Sequence, residues 1–152
     1  MTNVFAHTTH PDETLFHQRT DPKDPRLGEI VKSNRAAYDP AQVVIIGVPE
    51  DEGVKRRGVR VGTAEAPNAI RRWLYQLSIS NLRDDPDFSL FDLGDIRRKN
   101  SLEETHTTLQ TLASQILADG KTLIVLGGGG DIAYPNVQAL QAQGGEVLAF
   151  NV

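Results

Sequence analysis

The sequence predicts an α/β protein with three layers, in which helices cover both faces of a parallel β-sheet. Short apolar runs rich in Val, Ile and Leu recur along the chain, and glycine follows the first three of the predicted strands directly. Such runs are typical of strands that are buried on both faces of a parallel sheet. Amphipathic helical stretches separate the runs, and this alternation is the pattern of βαβ units. The 152 residues suffice for one domain with its own core.

The composition excludes several functional classes. Apolar residues make up 39% of the chain and charged residues 24%, as in ordinary globular proteins. The net charge is −4 and the basic residues are scattered, so we expect no nucleic-acid partner. The chain has no cysteine, which excludes disulfides and thiolate catalysis. No apolar run approaches the ~20 residues of a membrane span and no signal-peptide pattern is visible, so we expect a cytoplasmic protein without a membrane partner.

The first 40 residues predict a polar N-terminal arm, and residues 41–152 predict the α/β domain. Three Asp-Pro pairs in the arm are turn signals, and we expect an extended segment with one helical turn near residues 27–33. The first strand of the domain is predicted over residues 42–46. A long loop with three glycines follows it over residues 49–66.

Helix and strand signals alternate from Pro67 onward. Proline suits the first turn of a helix, and apolar residues recur at helical spacing behind it. A second strand is predicted over residues 88–93, closed by the Gly-Asp pair that follows. Ser101 and Glu104 form a capping box that begins a long helix, and Gly120 ends it. The remaining predicted elements are a strand at Thr122–Leu126, a helix over residues 134–143 and a fourth strand over residues 146–150.

Five segments between residues 42 and 152 match one enzyme family in order and spacing. They are Ile46-Gly47-Val48-Pro49-Glu50-Asp51-Glu52-Gly53-Val54, residues 60–71 (Arg-Val-Gly-Thr-Ala-Glu-Ala-Pro-Asn-Ala-Ile-Arg), residues 92–96 (Asp-Leu-Gly-Asp-Ile), residues 126–135 (Leu-Gly-Gly-Gly-Gly-Asp-Ile-Ala-Tyr-Pro) and residues 148–152 (Leu-Ala-Phe-Asn-Val). On these segments the chain resembles the ureohydrolase superfamily of arginases, agmatinases and formimidoylglutamases, and the formimidoylglutamase branch most. The resemblance implies the N-terminal half of the arginase-like fold. In that fold the first three predicted strands are neighbours, and two further strands separate them from the fourth.

The resemblance also implies a hydrolase. Enzymes of this family use two manganese ions to activate a hydroxide that attacks an amidine or guanidine carbon, because the metal lowers the pKa of bound water. The formimidoylglutamase branch forms glutamate and formamide in histidine degradation. One family ligand is a histidine directly after the glycine run, and Gly130 occupies that position here. Three ligands belong to an Asp-Ala-His-x-Asp segment that would follow Val152, and two lie further downstream. We therefore expect this chain to supply no metal ligand and no catalytic residue, and to be inactive alone.

The glycine run at residues 127–130 has three interpretations. Four consecutive glycines cost conformational entropy, which indicates left-handed backbone or a close neighbour. The run could be the remnant of the family's metal-binding loop, or a plain flexible loop at a strand end. It could also bind a nucleotide, since Gly128, Gly130 and Ala133 satisfy the pattern G-x-G-x-x-A between a strand and a helix. The acidic residue that such a site needs about 20 positions later is missing.

Arg60 is the candidate substrate-binding residue. It belongs to a basic cluster in the first long loop, together with Lys55, Arg56 and Arg57. These cations could bind the carboxylates of a substrate such as formimidoylglutamate, or could be ordinary solvated surface charges. Arg60 is chosen because it matches the family's Arg-x-Gly position.

The other titratable residues have structural interpretations. We expect Asp131 to cap the helix that follows it rather than to bind a metal. Asp92 and Asp95 are expected to be solvated carboxylates of a turn rather than an acid–base pair. His106 is expected to be a partly buried structural histidine on the apolar face of its helix. The other three histidines lie in the N-terminal arm, and we expect no histidine near the strand ends.

The sequence therefore predicts the N-terminal portion of a formimidoylglutamase-like ureohydrolase. The expected partners are a small-molecule amidine substrate in the intact family, and either further copies of this chain or a separate C-terminal half. Two alternatives are a non-catalytic subunit that pairs with a C-terminal half or a full-length relative, and a small dinucleotide-binding α/β domain. We also expect an oligomer or marginal stability, because the fourth strand would leave an apolar edge uncovered.

Overall fold

A four-stranded mixed sheet lies at the centre of the fold. The computed structural model describes residues 3–79, 88–148 and 150. The strands are β1 (Thr8–Thr9), β2 (Val43–Gly47), β3 (Leu90–Ile96) and β4 (Thr122–Leu126), in the spatial order β1-β3-β2-β4. β2 is parallel to β3 and to β4, whereas β1 is antiparallel to β3. The α/β class and the contiguity of the first three predicted strands are confirmed, and β1 is an addition that the sequence analysis did not predict.

Four of the five described α-helices lie close to their predicted positions, whereas one forms within residues 49–66, which were predicted to be a long loop. The helices are α1 (Leu27–Ile30), α2 (Glu52–Arg56), α3 (Ala66–Leu74), α4 (Leu102–Ala118) and α5 (Ala133–Gln141). Ser101 caps α4, since its Oγ accepts a hydrogen bond from the amide of Glu104 at 3.1 Å. Gly120 has a φ of +76° just beyond α4, as a helix-ending glycine requires. Among the described residues, no helix has the length and apolar character needed to cross a membrane.

One face of the sheet is covered by α4. Leu109, Leu112 and Ile116 of α4 are completely buried and belong to one apolar cluster with Val44 and Ile46 of β2. These two strand residues are two positions apart, so they point to the same face. The helical spacing of the α4 residues supplies the matching apolar stripe.

The opposite face carries a second apolar cluster. Ile45 of β2 points to this side and packs with Tyr75, which follows α3 directly. Leu27 and Val31, from the N-terminal 40 residues, complete the cluster together with Leu126. Helices therefore lie on both faces of the sheet, and the predicted three-layer arrangement is confirmed.

The N-terminal segment packs against the domain along most of its length. Its helical turn forms as α1, close to the predicted position. Val4 and Tyr38 are buried in the α4-side cluster, and Phe5 makes edge-on ring contacts with Tyr38 and Phe91 at centroid distances of 5.5 and 6.1 Å. The segment is thus polar on average but contributes apolar side chains to both faces of the sheet.

β3 continues beyond the point where the sequence predicted its end. The predicted strand stopped before Gly94, whereas β3 extends to Ile96 and pairs Asp95 with Thr9 of β1 and Gly47 of β2. Gly94 has a φ of +86°, and a Cβ atom on it would lie 1.8 Å from the carbonyl oxygen of Thr9. Glycine here allows β1 to approach closely rather than ending the strand.

The predicted fourth strand does not form among its described residues, 146–148 and 150. The side chains of Leu148 and Phe150 are 79% and 83% exposed. Residue 149 lies outside the described residues. Apolar alternation alone does not make a strand, because its backbone groups need a neighbouring strand as a hydrogen-bond partner.

Candidate functional site

The candidate site is formed by the loops at the carboxyl ends of the parallel strands. β2, β3 and β4 run in the same direction, so these loops share one edge of the sheet, the edge where α/β proteins bind ligands. The loop after β2 contains α2, and the loop after β4 contains the four glycines. The two loops are joined at their base, where the amide of Val48 donates to the carbonyl oxygen of Leu126 at 2.9 Å.

Three of the four glycines are required by their surroundings. Gly127 and Gly128 have φ values of +76° and +75°, which other residues rarely adopt. A Cβ atom on Gly127 would lie 2.4 Å from Cδ of Pro67, and a Cβ on Gly129 would lie 2.3 Å from Oδ1 of Asp131. The glycine run therefore lets this loop pack closely against Pro67 at the start of α3 and against the carboxylate of Asp131.

Gly130 differs from the three glycines before it. Its φ lies outside the left-handed region, and a Cβ atom on it would have no heavy atom within 4 Å among the described residues. The residue is exposed. The backbone therefore has room for a larger side chain at the position where the resemblance places a histidine.

His106 and Asp131 form a hydrogen-bonded pair beside this loop, at a separation of 2.7 Å between Nε2 and Oδ2. Their side chains are 22% and 21% exposed. Two predictions are corrected here. Asp131 makes no side-chain cap for α5, and His106 reaches the loop at the end of β4. The Asp131 carboxylate lies against the backbone of Gly53, where a Cβ atom would be 2.2 Å from Oδ1, so the pair ties α2, α4 and the glycine loop together.

Asp51 organises the long loop after β2. Its Oδ1 accepts hydrogen bonds from the amide of Gly62 at 2.9 Å, the hydroxyl of Thr63 at 2.8 Å and the amide of Ala64 at 3.0 Å. These donors, with the Gly62 amide the strongest, hold the pKa of the Asp51 carboxyl below its ordinary value. The sequence analysis did not single out Asp51, although an acidic residue just after a buried strand was a visible signal.

The basic cluster of this loop is partly neutralised. Arg56 is paired with Glu52 at 3.1 Å and with Glu103 of α4, and Lys55 lies 3.7 Å from Glu52. Arg60 is exposed, and none of the described residues forms an ion pair with it. It lies two residues before Gly62, so the bonds to Asp51 fix the chain next to it. Its predicted role in substrate binding stays a prediction.

A buried ion pair connects α3 to β3. Arg71 and Asp92 are both completely buried, and the guanidinium donates to the two carboxylate oxygens at 2.8 and 3.0 Å. Arg71 also donates to Asp95 at 2.5 Å, and the hydroxyl of Tyr75 donates to Asp92 at 2.5 Å. The prediction that Asp92 and Asp95 are solvated turn carboxylates was wrong. Asp92 lies inside a strand, and Arg71 of the neighbouring helix compensates its charge.

The electrostatics of this cluster fit a structural role. Burial lowers the pKa of the Arg71 guanidinium, but the charges of Asp92 and Asp95 outweigh burial and raise it above its ordinary value. Burial, followed by the negative charge of Asp92, also raises the pKa of the Tyr75 hydroxyl. The guanidinium stays charged and the phenol neutral at physiological pH. Neither group is accessible to a substrate.

The sequence from residue 41 to residue 151 matches the model of the arginase family. The chain belongs to the arginase family. The resemblance stated from the motifs is thereby confirmed. The match covers all three parallel strands and both loops of the candidate site.

Formimidoylglutamases are among the most similar relatives of this arginase-family chain. It is 35% identical to the formimidoylglutamase of Chromobacterium violaceum over 101 residues, which are 66% of this chain and 31% of the relative. It is 32% identical to that of Vibrio parahaemolyticus over 139 residues, which are 86% of this chain and 39% of the relative.

Solved structures show the same relationship. The Trypanosoma cruzi formiminoglutamase with Mn²⁺ is 39% identical, with a TM-score of 0.68, over 78% of this chain and 40% of that structure. The agmatine ureohydrolase of Thermoplasma volcanium is 26% identical, with a TM-score of 0.60, over 80% of this chain and 39% of that structure. The chain therefore spans between 31% and 40% of the length of these relatives, and it keeps the local arrangement of the two solved structures.

The residues of this arginase-family chain do not fit the manganese pair of the intact family. Within residues 3–79, 88–148 and 150, no three His, Asp or Glu side chains come together as metal ligands. Among those residues, His106 and Asp131 are the titratable pair beside the glycine loop, and these two side chains are hydrogen-bonded to each other. Gly130 offers no side chain.

Proposed function

We propose that this chain is the N-terminal portion of an enzyme that hydrolyses a C–N bond of an amidine, with formimidoylglutamate as the substrate. The observation that supports this most is the 39% identity to a formiminoglutamase structure over 78% of the chain. Hydrolysis of formimidoylglutamate would give glutamate and formamide. The Trypanosoma cruzi structure is described with Mn²⁺. We propose manganese only for the intact enzyme, not for this chain alone.

In this proposal the chain provides a scaffold and a substrate-binding loop. Arg60 is an exposed cation without an ion-pair partner among the described residues, next to a segment that Asp51 holds in place. A guanidinium binds a carboxylate through charge-assisted hydrogen bonds, and the substrate carries carboxylates. Arg60 would therefore orient the substrate, while the groups that activate water come from outside the described residues.

The chain alone is not expected to hydrolyse the substrate. Its described residues hold no group of three metal-ligating side chains, and the one histidine at the strand-end loops is engaged by Asp131. We therefore place the hydrolytic groups in the remaining three fifths of the family's length.

A chimera tests the proposed activity. This chain would be joined to the remainder of the Vibrio parahaemolyticus formimidoylglutamase. Formamide release would be measured with formimidoylglutamate, and urea release with agmatine and with arginine. We expect activity on formimidoylglutamate only. Arg60→Gln should raise KM about 10- to 100-fold with little change in kcat, because a charge-assisted hydrogen bond is worth about 1.5–3 kcal/mol.

Arg57→Gln is the matched control, because Arg57 is an exposed arginine of the same loop. It should leave KM unchanged. Preference for agmatine or arginine would overturn the substrate assignment. Equal KM values for the Arg60 and Arg57 variants would show that Arg60 does not bind the substrate.

A non-catalytic subunit is the second candidate, favoured by Gly130 at the position where the resemblance places a metal-binding histidine. It would use the same scaffold and pair with a separately encoded C-terminal half or a full-length relative. Reading the coding DNA beyond codon 152 separates the two candidates. An open frame that encodes Asp-Ala-His-x-Asp supports the enzyme, and its absence supports the subunit.

A further inference from the structure

The outer surface of α3 carries a large apolar side chain that faces away from the sheet. Arg71 of α3 and Tyr75 just after it are completely buried, and both contact Asp92 of β3, so they mark the side that faces the sheet. Trp73 lies two positions from each of them, and two residues along a helix turn the side chain by about 200°. Trp73 therefore points away from the sheet, and it is 71% exposed.

Neighbouring apolar residues extend this surface on both sides of Trp73. Ile70 and Leu77 are 40% and 56% exposed. The groove of about 510 Å³ at this surface, called the α3 groove below, is lined by Ala66, Ala69, Ile70, Trp73, Leu74 and Leu77. An exposed tryptophan within a continuous apolar surface is typical of an interface residue.

The position of α3 in the fold favours a partner from another molecule. α3 belongs to an outer layer, with the sheet beneath it and α4 on the opposite face of the sheet. Domains bury the inner sides of such layers, and a helix of an outer layer normally presents polar residues on its other side. Packing within a three-layer arrangement therefore does not cover the α3 groove.

The α3 groove is complementary to itself in the size of its side chains. The small residues Ala66 and Ala69 lie in the first half of α3, whereas Trp73 lies near its end. In a two-fold pair the same surface of each copy meets the other. If the two helices are antiparallel and the axis passes between Ala69 and Ile70, Trp73 of one copy lies over Ala66 of the other. The large ring then occupies the space beside the small residue.

The charges beside the α3 groove select the antiparallel arrangement. Glu65 directly precedes α3 with helical backbone, Arg72 lies in its last turn, and both are exposed. Seven residues correspond to about two helical turns, so the two side chains lie along the same side of the groove. An antiparallel pair brings Glu65 of each copy beside Arg72 of the other. A parallel pair would bring like charges together, which is unfavourable.

We propose that the chain forms a two-fold dimer through the α3 groove, with a second copy of the chain as the partner. The two α3 helices are antiparallel in this dimer. The Trp73 side chains are buried at its centre, and two pairs of Glu65 with Arg72 lie at its rim. Apolar side chains supply the affinity, and the rim charges fix the direction of the helices.

Sedimentation and fluorescence of the chain at increasing concentration test the proposal. Trp73 is the single tryptophan, so its emission reports on this surface alone. We expect a dimer in analytical ultracentrifugation at ~100 μM and dissociation on dilution, because dimerisation follows mass action. The emission should shift to shorter wavelength over the same concentrations, since the indole leaves water when the dimer forms.

A lysine at the centre of the groove tests the location of the interface. Trp73→Lys should raise the Kd of the dimer at least ~30-fold, because it removes the central apolar side chain and introduces a charge. Val59→Lys is the matched control, since Val59 is 53% exposed in the loop after β2 and outside the α3 groove. The control should sediment like the unchanged chain, and circular dichroism should show that both variants are folded.

A charge exchange tests the antiparallel arrangement. Glu65→Arg and Arg72→Glu should each raise the Kd of the dimer about 10-fold, because each places like charges together twice. The double variant should return to within about 3-fold of the unchanged chain, since opposite charges meet again.

Three results would contradict the proposal, and none of them depends on the hydrolysis of formimidoylglutamate. A monomer at ~100 μM with unchanged Trp73 emission would overturn it. A dimer that Trp73→Lys leaves intact would place the interface elsewhere on the chain. A double variant that dimerises no better than the single ones would overturn the antiparallel pairing of the α3 helices.

Discussion

The buried ion pair of Arg71 with Asp92 illustrates how a single side chain depends on its partner. Both groups are completely buried, and the remaining donor and acceptor positions are used by Asn68, Asp95, Tyr75 and Gly94. A buried pair of this kind gives limited net stability, whereas an unpaired member is costly. The pair therefore fixes where α3 sits on β3.

Asp92→Ala should destabilise the chain by about 3–5 kcal/mol, because it leaves the Arg71 charge buried without its main partner. Urea unfolding followed by circular dichroism measures the change. Glu52→Ala is the control, since Glu52 pairs with Arg56 at the surface. We expect no resolvable change for the control. A loss below ~1 kcal/mol for Asp92→Ala would show that water reaches Arg71.

Gly130→His should leave the unfolding free energy almost unchanged, because the position has ordinary backbone and open space around it. Gly127→Ala should destabilise the chain by more than ~1 kcal/mol, since its φ is +76° and Pro67 is in contact. Neither variant should give the chain activity.

In the chimera with the remainder of a formimidoylglutamase, Gly130→His should raise the rate of hydrolysis by orders of magnitude, because it restores a metal ligand. An unchanged rate would show that Gly130 does not occupy the family's histidine position.

At the scale of elements, the site loops are held by polar contacts that bridge separate helices. Arg56 of α2 pairs with Glu103 of α4, and His106 of α4 pairs with Asp131 of the glycine loop. Only Gly53 and Val54 of α2 are buried, so little apolar packing holds this helix. Segments held in this way open more easily than the core.

The contact between α2 and α4 should weaken at low pH. The hydrogen bonds from Arg56 lower the pKa of Glu103 from 4.5 to about 2. The folded-state pKa is depressed, so the stabilisation is fully present above pH 4.5 and is lost as the pH falls toward 2. Both side chains are exposed, so solvent screening keeps the effect small.

Carboxyl NMR shifts of Glu103 between pH 6 and about 2 would measure this titration. Glu103→Gln should remove the accompanying shifts of the α2 amides, and Glu146→Gln, an exposed residue outside the helices, should preserve them. A titration of Glu103 near its ordinary pKa would mean that the pair does not persist in solution.

At the scale of the whole molecule, the described part of the chain combines a well-packed core with two exposed apolar surfaces. Its central strand and α4 are buried like those of a complete domain, whereas β4 and the outer side of α3 are not. The chain spans about two fifths of its relatives, and the groups that would bind manganese do not come together in the part that the structure describes.

The chain purified with excess Mn²⁺ should retain well under one ion per molecule, as elemental analysis would show. Two or fewer converging ligands at neutral pH bind this metal weakly, since it requires a fuller set of carboxylate and imidazole donors. The Trypanosoma cruzi formiminoglutamase, described with Mn²⁺, is the positive control. Stoichiometric manganese in this chain would show that a site exists which the described residues do not reveal.

The amino-acid sequence by itself determined the α/β class, the three parallel strands, the capped helix α4 and the family. These features depend on local patterns: apolar β-branched runs, helical periodicity, Ser101 with Glu104, and glycines at strand ends. Each pattern extends over a few neighbouring residues, so the linear sequence is enough to predict these features.

Only the tertiary structure decided the roles of the charged residues and of the last apolar segment. Asp92 is buried because Arg71, 21 residues away, meets it across α3 and β3. His106, in the first half of α4, reaches Asp131, which follows the end of β4. Residues 146–148 read as part of a strand but stay outside the sheet, because a strand needs a neighbour to bond its backbone. Such outcomes depend on which distant groups come together in space, and spacing along the chain does not encode that directly.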